Sequence, residues 1–191
     1  RLGDMAAGPA AGLLATLPGE TAQQVLSLLE PRIAGGILLE LPENRAAAAL
    51  MGLPARNVGA VLERMAAEPS RAASVLQMMS AARAGRVVDY MRLEEAAALI
   101  GVLPSGEAVR ILAHAHVRTA AGIVGALSGT PAAVSLIEAM PPRRACDVLG
   151  YVSPAVVATT LRNLPAGLAE RLLNDLDERA RGLVLRHLKR P

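Results

Sequence analysis

The sequence predicts an all-α fold, a solenoid of about fifteen short helices built on a twelve-residue repeat. Three observations predict it. The last apolar residue of each unit recurs every twelve positions, with a spacing of fourteen between Met65 and Met79 and thirteen between Leu127 and Met140. The residues three and four places before it are apolar in every unit, Thr160 excepted, and alanine fills twelve of the fifteen slots seven places before it. Offsets of three, four and seven trace one face of an α-helix. Proline then follows the unit-final residue directly at Pro18, Pro42, Pro54, Pro104, Pro141 and Pro165, where it ends one helix and suits the first turn of the next.

The two irregular spacings divide residues 1–191, read as a single helical-repeat domain, into three five-helix blocks: 9–65, 69–127 and 130–188. In the first, units ending at Leu17, Leu29, Leu41, Leu53 and Met65 bury the pairs Leu13-Leu14, Val25-Leu26, Ile37-Leu38, Ala49-Leu50 and Val61-Leu62. In the second, units ending at Met79, Met91, Leu103, Ala115 and Leu127 carry Val75-Leu76, Val87-Val88, Leu99-Ile100, Ile111-Leu112 and Ile123-Val124. In the third, units ending at Met140, Val152, Leu164, Leu176 and Leu188 carry Leu136-Ile137, Val148-Leu149, Thr160-Leu161, Leu172-Leu173 and Val184-Leu185. Helices of about nine or ten residues result, too short to persist alone in water, so packing of each stripe against its neighbours must hold them. The insertions at Ala66–Pro69 and Ser128–Pro131 have turn composition and are expected to act as joints in one continuous domain.

Composition narrows the function. Aromatics are limited to Tyr90 and Tyr151, so aliphatic residues and alanine must fill the core. Net charge is +3, distributed as −1, +1 and +3 over residues 1–65, 66–127 and 128–191. Only the last block leans basic, through Arg171, Arg179, Arg181, Arg186, Lys189 and Arg190, and Glu170, Asp175, Asp177 and Glu178 offset much of that charge. With no run of stacking aromatics, a docking edge for another domain ranks above a nucleic-acid groove. A single cysteine, Cys146, rules out an intrachain disulfide framework and fits a reducing cytosol. No apolar run approaches the roughly 18 residues of a membrane span. The chain opens on Arg1, which is the expectation for a piece of a longer protein whose other domains lie elsewhere.

Candidate chemistry is sparse. His114 and His116 fall at a helix end and point apart, with His187 distant in sequence, so a zinc site lacks its ligands. Cys146 has no base and orienting group beside it and reads as a partly buried structural thiol. Gly35-Gly36 lies inside a helix pattern, where it permits close helix contact. The acidic pairs Glu94-Glu95 and Asp177-Glu178 fall in first helical turns, where they complement the helix dipole. Catalytic, cofactor and metal residues are therefore assigned to none, with weak magnesium binding at dispersed carboxylates as the remaining expectation.

Units such as 17–29, LPGETAQQVLSLL, and 164–176, LPAGLAERLLNDL, resemble the cytoplasmic N-terminal domain of MgtE-type magnesium transporters, with its leucine-proline boundary, mid-helix alanine, paired aliphatics and final leucine. The resemblance spans residues 9–188 and has a related helical-repeat character in the middle domain of the flagellar switch protein FliG. It implies a right-handed superhelix that packs beside paired CBS domains and helps close a pore when magnesium is abundant. Fifteen helices exceed one usual copy of that domain, and no magnesium-sharing acid transfers residue by residue. The resulting expectation is a cytoplasmic, non-enzymatic regulatory and protein-interaction module, coupled to divalent-cation sensing. Its partner is another protein or a CBS or membrane domain of the same polypeptide. Arg171, Arg179, Arg181, Arg186 and Lys189 are the candidate docking residues, and a nucleic-acid-binding repeat protein using the basic C-terminal block is the alternative.

Overall fold

The computed structural model describes residues 5–189, which form fifteen α-helices and no strand. They group into two compact units. The first, Arg1–Leu103, contains α1 (Ala7–Thr16), α2 (Gly19–Leu28), α3 (Pro31–Leu39), α4 (Glu43–Leu50), α5 (Ala55–Met65), α6 (Pro69–Gln77), α7 (Ala81–Val88) and α8 (Leu93–Val102). The second, Pro104–Pro191, contains α9 (Ser105–Leu112), α10 (Val117–Ala126), α11 (Pro131–Ala139), α12 (Pro142–Leu149), α13 (Pro154–Arg162), α14 (Ala166–Asp175) and α15 (Glu178–Leu188). The units divide at Leu103-Pro104, inside a stretch of regular twelve-residue spacing, and both insertions fall within units.

Each helix ends where the repeat places it, and the turn explains why. In nine units the unit-final N–H donates to the carbonyl three residues back, as in Leu17 to Leu14 (3.2 Å), Leu53 to Leu50 (3.1 Å) and Val152 to Leu149 (3.1 Å). This tightens the last turn into 3₁₀ geometry. Proline then holds the chain extended: Pro18, Pro42, Pro54, Pro104 and Pro165 occupy the N-cap position with φ near −55°, while Pro31, Pro69, Pro131, Pro142 and Pro154 sit at the first helical position. Among the described residues only Ser80 and Asp177 cap a helix start with a side chain, Asp177 accepting from the N–H of Ala180 at 2.8 Å.

Within each unit, packing runs between alternate helices. In the first unit α1, α3, α5 and α7 stack in one layer and α2, α4, α6 and α8 in the other. In the second, α9 packs on α11, α13 on α15, and α10, α12 and α14 in series. The core is most of the predicted stripe: Leu14, Leu26, Leu38, Leu50, Leu62 and Leu76 are buried, as are Leu112, Val124, Ile137, Leu149 and Leu161, whereas Leu13 (49% exposed) and Leu185 (38%) depart from it, because α1 packs mainly on α3 and α15 mainly on α13. Thr160 is the one buried polar residue described, and its hydroxyl donates to the carbonyl of Val156 at 3.0 Å, which removes the cost of burying it.

Two small-scale devices hold the stack. Gly35 and Gly59 lie six places before their unit ends, in consecutive helices of one layer. A Cβ on Gly35 would stand 2.9 Å from the Cβ of Arg64 and 3.2 Å from the carbonyl of Val61, and one on Gly59 would stand 3.2 Å from the carbonyl of Val87. The absence of a side chain therefore sets the spacing of α3, α5 and α7. Arginine supplies the second device. Arg71, Arg83 and Arg144 each lie eight places before a unit end and donate to carbonyls at the end of the helix three units earlier. Arg83 Nη2 reaches Leu50 (3.0 Å) and Leu53 (2.5 Å), Arg144 Nη2 reaches Leu112 (2.8 Å) and Ala115 (2.7 Å), and Arg71 Nη2 reaches Leu41 (2.5 Å). A cation on the last carbonyls satisfies orphan acceptors and complements the helix dipole.

Candidate interaction surface

Stripe positions three, four and seven before a unit end face the core, so positions one, two and five before it face outward as an i, i+3, i+4 set. Alternate stacking then assembles these sets into edges. On the layer of even helices in the first unit, the sets are Gln24, Ser27 and Leu28 on α2, and Ala48, Met51 and Gly52 at the end of α4. They continue as Ser74, Gln77 and Met78 on α6, and Ala98, Gly101 and Val102 on α8. No residue of the twelve carries a charge. Leu28 is 86% exposed, Met51 47%, Met78 49% and Val102 50%, so every helix of this layer ends in one large apolar side chain held in water. A groove of about 310 Å³ lined by Gln23, Gln24, Ser27 and Gly52 opens between the ends of α2 and α4, with Glu20 at its rim.

The opposite layer contrasts with this. The same positions on α3, α5 and α7 hold Glu40, Glu63, Arg64, Arg86 and Asp89. Glu63 bonds the backbone N–H of Arg92, whose guanidinium also pairs with Glu95. Arg92 is the exposed N-cap of α8 while both carboxylates are largely covered, so this cluster ties the start of α8 to the end of α5.

The five basic docking residues predicted in the second unit do not converge on one face. Arg171 is exposed on α14 and its Nε donates to the Gly167 carbonyl of its own helix at 3.1 Å. On α15 the seven-residue spacing brings Arg179 and Arg186 together, Lys189 at the C-cap follows close to the same face, and half-buried Arg181 lies on the other side. Arg190 lies outside the described residues. Arg179 and Asp177 flank a groove of about 320 Å³ whose floor is Leu149, Val152, Val157, Leu176 and Val184. A second groove in this unit, about 450 Å³, runs past Gly122 and Gly125 under exposed Tyr151, with the Arg118 guanidinium 5.6 Å from the ring centre. Sequence reasoning missed both grooves and the uncharged edge; reading the outward positions in every second unit would have found the edge.

The remaining candidates have structural work. Cys146 is half-buried, its thiol 3.9 Å from the carbonyl of Leu172. Burial first, then the carboxylates of Asp175 and Asp147, raise its pKa above the ordinary value of 9.0, so the thiol stays protonated at neutral pH. His114 follows α9 in a turn, His116 is the N-cap of α10, and His187 lies in α15. Glu94 and Glu95 begin α8 and Asp177 caps α15, as their sequence positions predict. No group of three or more His, Cys, Asp or Glu side chains is placed to hold a metal among the described residues. No described helix is long and apolar enough to cross a membrane.

The family model described as the MgtE intracellular N domain matches residues 5–100 and again residues 91–189. The two matches begin 86 residues apart, which is the distance from Leu17 to Leu103, or seven helical units. Fifteen helices thus correspond to two successive matches that share α8. No curated protein and no solved structure matches the chain.

Proposed function

Since the chain belongs to the MgtE intracellular N domain family over nearly its whole length, we propose that it is a non-enzymatic regulatory and protein-interaction module of the magnesium-transporter type. The observation that carries this reading is where the polar groups go. Polar side chains such as Arg83, Arg144 and Asp177 satisfy the backbone groups of helix ends, which leaves the stacked helices to present their outer faces. What the surface offers a partner is shape and apolar area. The partner is a CBS or membrane domain of the same polypeptide or a separate protein in the cytoplasm. In the second unit the groove lined by Arg179, with Arg186 one further step along the same face of α15, supplies the docking edge, with an acidic partner as its complement.

Divalent-cation coupling belongs to the same proposal. Magnesium binds weakly, through exposed carboxylates with water completing the shell. Thermal melting of the chain across a magnesium series tests it, because a ligand that prefers the folded state must raise the midpoint. At ten times its dissociation constant the ion adds about 1.4 kcal/mol, or roughly 3–6 °C for a chain of this size. A midpoint that stays fixed to 20 mM (about the upper end of a useful titration) while calcium also leaves it fixed overturns the sensing part and leaves a scaffold.

A further inference from the structure

The positions six, four and three before a unit end divide each helix between its two neighbours in the layer. Gly35, six before its end on α3, faces the Val61 carbonyl of α5, and Gly59 on α5 faces the Val87 carbonyl of α7 in the same way. Cys146, at that position on α12, faces the Leu172 carbonyl of α14. Val61, Val87 and Leu172 all stand four before their unit ends. Positions six and three, one turn apart, thus form the face toward the later helix, and position four belongs to the face toward the earlier one. In the first unit position four is buried on α3 to α8, as Ile37, Ala49, Val61, Val75, Val87 and Leu99, but Leu13 on α1 is exposed and Val25 on α2 half-buried. In the second unit position three is buried on α9 to α13, but Leu173 on α14 is half-buried and Leu185 on α15 exposed. The chain neighbours Leu14, Leu26, Leu172 and Val184 are all buried, so only one face of each end helix is open. Among the described residues α1 and α2 have no earlier helix in their layers, and α14 and α15 no later one.

These two open faces are the halves of one contact. The half toward an earlier helix offers an aliphatic side chain and a carbonyl at position four. The half toward a later helix offers an aliphatic side chain at position three and, at position six, a small residue that lets the carbonyl approach. On α15 that seat is complete: Leu185 stands three before the end and Gly182 six before it, where an added Cβ would meet nothing within 4 Å. Glycine inside a helix costs stability, and no contact among the described residues occupies Gly182 as α5 and α7 occupy Gly35 and Gly59. Each helix packs on the second one along, so a further pair sets its first helix on α14 and its second on α15. We propose that α1 and α2 of one copy of this chain stack on α14 and α15 of another, with Leu13 against Leu173 and the Val25 carbonyl in the Gly182 seat beside Leu185. A second copy is the occupant because the chain carries both complementary halves and leaves each of them open. Glu170 on α14 and Arg181 on α15 stand six and seven before their unit ends, where α9 to α13 carry only uncharged residues. The contact is therefore looser than an internal one, and reversible. It goes beyond the partner and cation readings above and rests on neither.

Sedimentation of the full chain over a dilution series tests this. A head-to-tail contact repeats from copy to copy, so the wild-type mass is expected to rise with concentration between about 1 µM and about 1 mM. Leu13→Arg spoils one half of the contact and Leu185→Arg the other. Each variant alone should associate about a hundredfold more weakly, because the contact would bury an unpaired guanidinium. Both side chains are exposed, so the melting midpoint is expected to hold. Mixed in equal amounts, the two variants keep one intact half of each kind and should form a one-to-one dimer that grows no further. Gly182→Leu fills the seat from a position that is open within the chain, so association should weaken while the midpoint holds or rises, the helix having lost a glycine. A wild-type mass that stays monomeric over the whole range overturns the proposal. So does a mixture that stays monomeric while wild type associates, or undiminished association of Gly182→Leu. Wild-type association of the Leu185→Arg chain alone overturns it as well, since like faces would then be pairing.

Discussion

At the scale of single residues, the difference between Gly35 and Gly36 shows how much of this fold depends on helix spacing. Both lie inside α3, where glycine costs about 0.5–1 kcal/mol relative to alanine through backbone entropy. A methyl group on Gly36 meets nothing within 4 Å, whereas one on Gly35 meets the Arg64 Cβ at 2.9 Å and the Val61 carbonyl at 3.2 Å, both fixed to the backbone of α5. Gly36→Ala is therefore expected to stabilise the chain by about 0.5–1 kcal/mol. Gly35→Ala should destabilise it by about 1–3 kcal/mol, because the α3–α5 contact must open. Urea unfolding of the two variants, with m-values compared to confirm a common unfolded state, reads both signs at once; equal shifts would mean that α3 and α5 do not depend on this close approach.

For the helices, the sequence determined phase well and connection poorly. Positions three, four and seven before a unit end lie on the same helix, so their burial follows from local periodicity wherever a neighbouring helix covers that face, Leu13 and Leu185 in the end helices excepted, and Thr160 is visible in the sequence as the one polar member, though its bond to Val156 is not. The arginine devices could not be read in the same way, because Arg83 and Arg144 act on carbonyls 29 to 33 residues away and look like ordinary surface cations. The uncharged edge is different: its twelve residues stand at fixed repeat positions in the sequence, and only the alternate stacking of helices that joins them had to come from the structure. Removing Arg83 tests the device. Arg83→Met keeps the aliphatic stem and deletes two charge-assisted bonds to the end of α4, with an expected loss of about 1.5–3 kcal/mol. Arg86→Met, three residues along α7 and exposed, should change stability by less than about 0.5 kcal/mol. Faster amide exchange at Leu50 through Leu53 in the Arg83 variant alone would locate the effect, while equal destabilisation by both substitutions would show that net charge is responsible.

For the whole molecule, the repeat states which positions can absorb a change in length. The chain itself lengthens between Met65 and Pro69 and between Leu127 and Pro131, where α5 and α10 have ended and the next helix restarts on a proline. Gly129 in the second of these turns has φ of +81°, a conformation open to glycine and strained for other residues. The basic C-terminal residues were legible as composition yet not as a face, since three-dimensional grouping depends on turn angle within α15: Arg179 and Arg186 coincide and Arg181 does not. Helical register has the same arithmetic everywhere. Inserting one glycine after Gly129 lengthens a turn, for which the added closure entropy is well under about 0.6 kcal/mol, and stability should fall by less than about 1 kcal/mol. Inserting one alanine between Val134 and Ser135 instead rotates everything after it by about 100° relative to what precedes. That separates buried Ala133 from buried Leu136 and Ile137, which now share one stripe, and turns one side of the break toward water. The α11 insertion should cost roughly 3 kcal/mol or more, the burial of at least one large aliphatic side chain together with its packing. Denaturation midpoints and exchange protection across α9, α11 and α13 decide between the two insertions. Matching losses would mean that stability in this unit does not depend on the continuity of one apolar stripe through each helix.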